Sequence, residues 1–400
     1  MSTTTAFGLD PDTATRLRAT AASLARESLN AEGMIELDCA QVWADQHQDA
    51  FKADRVVLGN LWSDECVFAE LGIPEDWDRY HHDRAWLTGL CRQANDRAET
   101  IVGRRLLNQT APDPAARTMP QPRQLWELFE CRNVFEGDSY WMHPAIDDVS
   151  QLPALLDRVE ARLDNLRAWL LPDNWDQARD AARARGERTP MYWHQRGPVT
   201  LATSMVGAES FLFLFYDDEA LVRRLSAVMK RAMLAIRQLL EQEAGYTETD
   251  RPRGFSFADD NCCLVTPSQY ELFAEPILET MWNYCSPDPS DSRYQHSDSA
   301  MAHLLPILGR LGCNGANFGP TIPLDQIRAH LPTAVIHGQV APFTYSRDER
   351  ENLAFEVLRD IHLAREARGL ALTMAGSINN GSRLHGMRLI MATVQRHGWY

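Results

Sequence analysis

The chain has 400 residues, 44% of them hydrophobic, and a formal charge of −15, which supplies enough apolar material for one large core. With that charge and with Lys and Arg dispersed rather than clustered, general affinity for nucleic acid is excluded, and no stretch approaches the roughly 18 uninterrupted apolar residues of a bilayer span. The eight cysteines include no CxxC pair and read as reduced, mostly packing thiols.

The first thirty residues are polar and of mixed charge, with no apolar run that would mark a signal or an anchor, so the protein is expected in the cytoplasm. Residues 1–50 read as an N-terminal helical extension, capped near Asp10, Pro11 and Asp12 and carrying Leu17, Leu24 and Leu29. It is expected to serve as a cover or a dimer arm. From residue 51 to 400, short apolar runs alternate with longer amphipathic ones, the pattern of parallel strands joined by helical crossovers. Eight strands are predicted, at 54–60, 131–137, 189–195, 252–258, 292–297, 313–318, 333–338 and 370–375. Helices are predicted at 152–171, 217–244, 267–284 and 347–368, the third opening with a Thr266 cap and Pro267. The expected fold is α/β, a (β/α)8 TIM-type barrel with an N-terminal helical extension, whose active site lies at the strands' C-terminal ends.

Taken in chain order, those ends offer the following chemistry. Trp193, His194 and Arg196 lie at one exit, where the guanidinium can hold a substrate carboxylate and alternation makes either Trp193 or His194 a packing residue. The run Phe255 to Ala258 leads straight into Asp259 and Asp260; neighbours on a strand face opposite ways, so one aspartate faces the barrel mouth and the other caps a loop or helix. His296 and Asp298, two apart, share a face, and strands ~5 Å apart bring them within reach of Asp260. His337, Gly338 and Gln339 follow an apolar strand, as catalytic groups or a polar wall. Ser377 lies in a Gly- and Asn-rich turn after the last strand. No GxGxxG, P-loop, HExxH or GxSxG motif is present.

Four segments carry a family resemblance: Gly197-Pro-Val-Thr-Leu-Ala-Thr203 with Met205 and Gly207, FADDNCCLVTPSQYELFAEP at 257–276, HGQVAP at 337–342 and VQRHGWY at 394–400. With them residues 190–400 resemble the uroporphyrinogen decarboxylase superfamily, which implies a (β/α)8 barrel and either decarboxylation or methyl transfer between corrinoids and thiols. The arginine-rich decarboxylase motif is only faintly matched by Cys91-Arg-Gln-Ala94, and the family's last-strand histidine is replaced at Gly376-Ser377-Ile378. Authentic uroporphyrinogen decarboxylation is therefore not expected. The thiol methyltransferases hold zinc through His-x-Cys and a later cysteine; here stand His296-Ser297-Asp298 and Ser377, so the histidine matches and both thiolates are absent.

The resemblance therefore implies a harder, oxygen-rich site in which Asp260, His296 and Asp298 act as catalytic groups and as candidate ligands of zinc, manganese or iron. Asp259, Trp193, Arg196, His337, Gln339 and Ser377 would line the substrate. The leading expectation is transfer of a methyl or one-carbon group to or from a small polar molecule, with a corrinoid donor on a partner protein and a homodimeric assembly. The alternatives are a decarboxylase or lyase acting on a small carboxylate, and a barrel that binds without catalysing.

Overall fold

A computed structural model describes residues 8–29, 34–47, 49–110, 119–192 and 194–400. The chain forms two compact units, one built from Met1–Asp113, Asp298–Leu305 and Asn314–Tyr400, the other from Pro114–Ser297 and Pro306–Cys313. This division does not coincide with the expected cut at residue 50.

Nine strands occur among the described residues: β1 (Val57–Leu58), β2 (Arg132–Glu136), β3 (Ser139–His143), β4 (His194–Arg196), β5 (Phe255–Ala258), β6 (Arg293–Ser297), β7 (Gly315–Phe318), β8 (Val335–Val340) and β9 (Leu370–Met374). In the first unit the parallel order is β1-β9-β8-β7, and in the second it is β4-β5-β6. Among these parallel strands, each step to the next one in sequence passes through helices, as parallel neighbours require. β7 and β9 are buried at every position, the mark of strands covered on both faces. Seven of the eight predicted strands are thus present.

The eighth is a correction. Residues 131–137 do not supply a parallel barrel strand; β2 turns through Gly137, at φ 70°, and pairs antiparallel with β3. The Gly-Asp dipeptide between two short runs is a hairpin signal that outweighs the strand's own composition.

Helix placement follows the sequence more closely. Thr266 caps the helix Pro267–Phe273 in a reciprocal box with Gln269, and the 26-residue helix Glu219–Ala244 ends at left-handed Gly245. The N-terminal helix Pro11–Glu27 is present, with Asp10 as its cap. It packs along its own chain: the Arg18 guanidinium lies 4.0 Å from the centroid of the Phe355 ring, Arg350 donates to the Ser28 carbonyl, and Arg396 pairs with Glu27 at 2.6 Å. Among the described residues no single helix is long and apolar enough to cross a membrane.

Candidate functional site

Strand register places the chemistry of the second unit. Arg196 pairs with Ala258 and Ala258 with His296, so these three stand abreast on one face of β4, β5 and β6, at the C-terminal ends where a parallel barrel presents its reactive groups. His194, Ser256 and Tyr294 form the row behind them. Phe257 and Gln295 belong to the opposite face, where Phe257 meets the Trp282 ring edge-on at 6.0 Å.

Past Ala258 the two aspartates separate. Asp259 is fully buried and accepts from the Thr200 amide at 2.7 Å and the Val199 amide at 3.4 Å. Those amides open the helix Pro198–Val206, whose exposed N–H groups would otherwise lack acceptors. Burial pushes its carboxyl up to about 6 despite these hydrogen bonds. Gly197 makes the arrangement possible, because any Cβ there would overlap the Asp259 side chain. Asp259 therefore braces the helix, and the expected substrate contact is corrected to a capping role.

Asp260 opens the short turn Asp260–Leu264 and faces the strand ends. Its Oδ1 lies 3.9 Å from His296 Nε2, with the carboxylate 46% exposed and the imidazole 25%, so both can meet a ligand. Cys262 in the same turn is fully buried, its Sγ 3.7 Å from Ser297 Oγ, and is a packing thiol.

Asp298 follows His296 by two residues, and its exposed carboxylate accepts from Ser377 Oγ at 3.2 Å. Gly376, at φ 98°, lies so close that a Cβ would strike Asp298 Oδ1. Continuity of one extended segment thus brings Asp298 to the exit of β6. One ligand atom each of Asp260, His296 and Asp298 lie within 4.8 Å of one another. Donors bound ~2.1 Å from one ion stand no more than about 4.2 Å apart. By donor chemistry, the set of one imidazole and two carboxylates is of the kind that takes a divalent cation such as zinc, manganese or iron.

The other residues singled out from the sequence divide. Arg196 is exposed, with Nη1 donating to Ser204 Oγ at 3.3 Å. His337 on β8 is partly buried, and that burial lowers its pKa and keeps the ring neutral; Asn317 donates to its carbonyl oxygen. Gln339, 1% exposed, donates through Nε2 to the carbonyls of Gly319 (3.2 Å) and Ile322 (2.7 Å). It braces the loop after β7, which corrects its expected place in the substrate wall. Trp193 lies outside the described residues.

A cavity of about 400 Å³ at the exit of β4 is lined by His194 and Arg196 and by residues that the sequence did not single out, among them Gln124, Asn133 and Met142. Alternation from Arg196 identifies His194 as a same-face neighbour, but nothing local in the sequence ties the β2–β3 hairpin to β4.

The family model described as uroporphyrinogen decarboxylase (URO-D) matches residues 154–397. Among solved structures, a methyltransferase from Methanosarcina mazei is similar in fold, with a TM-score of 0.50 and 17% identity over 90% of this chain and 97% of that one. No curated protein matches the sequence significantly.

Proposed function

Because the chain belongs to the uroporphyrinogen decarboxylase family and has its TIM-barrel type of α/β fold, we propose that it is an enzyme that transfers a methyl or other one-carbon group to or from a small polar substrate. The observation that carries this reading is the convergence of Asp260, His296 and Asp298 at the exits of β5 and β6. Asp260, His296 and Asp298 would hold a divalent metal, which when bound supplies Lewis-acid polarisation of an acceptor oxygen or sulfur and lowers its pKa.

The chain's own groups have distinct tasks. As the acceptor forms its new bond to the methyl group, the bond to the donor breaks and the donor retains that electron pair. The acceptor's proton is released beside Asp260 and His296, whose accessible side chains lie 3.9 Å apart from Oδ1 to Nε2. Asp298, held by Ser377, is kept facing the same point. The resemblance to corrinoid-dependent methyltransferases supports a corrinoid donor presented by a partner protein.

One observation favours a second reading. Arg196 stands abreast of His296, suited to hold a carboxylate while Asp260 or His296 protonates the carbanion left by loss of CO₂. Elemental analysis of the purified protein, together with assays of His296→Ala and Asp298→Ala, tests the first reading. Near-stoichiometric metal lost in both variants, with turnover that needs a methyl donor, supports it. Unchanged turnover in both variants overturns it, and CO₂ release without any methyl donor replaces it with the second.

A further inference from the structure

The cavity beside β4 lies wholly within the second unit, and its lining differs from the rest of the molecule. In a chain of charge −15, no aspartate or glutamate among the described residues lines it. The polar residues that line it include Arg196, His194, Tyr192, Gln121, Gln124 and Asn133. The apolar lining includes Trp126, Met142, Met191 and Leu201.

Arg196 is held in place as well as accessible. Ser204 Oγ accepts from its Nη1 at 3.3 Å and itself donates to the Thr200 carbonyl at 2.7 Å, and among the described residues no carboxylate pairs with Arg196. A planar guanidinium in an acid-free pocket selects an anion that fits its fork, most directly a carboxylate. The thioether and indole surfaces select an apolar body, and the volume suits a small organic molecule rather than an inorganic ion. Across the sheet only the methyl group of Ala258 stands between Arg196 and His296 in register.

We propose that this cavity binds an amphipathic organic carboxylate, with the acid on Arg196 and the apolar body against Trp126, Met142 and Met191. The group that reacts is then the one next to the carboxylate, reaching across Ala258 towards His296. That last step rests on the one-carbon-transfer reading; the binding itself does not.

The test is calorimetric titration of the full chain with 3-phenylpropionate and with 3-phenylpropionamide, its neutral counterpart. The acid binds about 10- to 100-fold more tightly than the amide, as expected for hydrogen bonds to a charged partner. Arg196→Ala abolishes that preference and Arg196→Lys keeps part of it. Met142→Trp, which fills the cavity, weakens both ligands, whereas Arg223→Ala, on a distant exposed helix face, changes neither. Equal binding of acid and amide, no binding of either, or full acid preference in Arg196→Ala overturns the proposal. His296→Ala separates the two readings: it leaves this binding intact, so turnover that persists in that variant sinks the transfer mechanism alone.

Discussion

Polar residues stand at strand ends in both units, but they are used differently. In the first unit Gln339 spends its side-chain amide on two loop carbonyls, while Asp360 accepts from its backbone N–H and Arg359 donates to its backbone oxygen. In the second unit Arg196, His194, Asp260 and His296 remain accessible at the ends of β4, β5 and β6. The contrast teaches that a polar side chain at a strand exit marks chemistry only when its bonding capacity faces outward; turned inward, the same residue type is a brace.

The largest expected effect falls on the accessible side. His296→Ala should lower turnover by about 100- to 10,000-fold, the range for loss of a positioned acid–base group. Because the ring is partly exposed, the thermal transition should shift little. If steady-state assays show the reverse, a large loss of stability with turnover intact, His296 belongs with the braces and the contrast fails.

On the inward-facing side the cost should appear as stability. Arg359 pairs with Asp360 at 2.8 Å, and Asp360 has no solvent exposure. Arg359→Leu leaves that carboxylate buried without its cation and should destabilise the fold by about 3–5 kcal/mol. Urea unfolding measures the loss, and the activity of the remaining folded fraction should be unchanged. An Arg359→Leu protein as stable as the parent would show that Asp360 is not held as an ion.

Asp259 sharpens the comparison because it lies in the second unit yet behaves like the braces of the first. Its carboxyl titrates near 6 when folded, against an ordinary 3.8. The folded state therefore binds the proton more tightly, and Asp259's contribution to stability is full below about pH 4 and is lost as pH rises through 6. At 1.36 kcal/mol per pKa unit the change is about 3 kcal/mol. Asp259→Asn cannot titrate, so the wild-type protein should lose stability relative to this variant between pH 4 and pH 6.5. Denaturant midpoints across that range that run parallel would place the Asp259 titration outside this window.

These differences show what could be read from the sequence. The i, i+2 spacing of His296 and Asp298 on an extended run, and the position of Asp260 just past an apolar strand, depend only on local geometry and were legible. That one of two adjacent aspartates would turn away was also legible. Which one was not, since the answer depends on Gly197 letting the start of another helix approach. Gln339 was misplaced because its partners are carbonyls 17 and 20 residues away in a loop without a pattern of its own. The β2–β3 hairpin was misread although its Gly137-Asp138 turn was in view, because β2 alone has the composition of a barrel strand.

The smallest effect is expected where the first unit does present chemistry outward. Ser377 donates to Asp298 Oδ2 at 3.2 Å, and both residues are exposed, so water can replace most of the bond when the hydroxyl is removed. Ser377→Ala should lower kcat/KM by only about 2- to 10-fold, the worth of one ordinary hydrogen bond. A simple loss of this size does not separate positioning from incidental contact, and a double-mutant cycle with Asp298→Ala does. If Ser377 acts by aiming the Asp298 carboxylate, Ser377→Ala has its effect in the parent and none in the Asp298→Ala background. Equal effects in both backgrounds would mean that Ser377 meets the substrate directly instead of orienting Asp298.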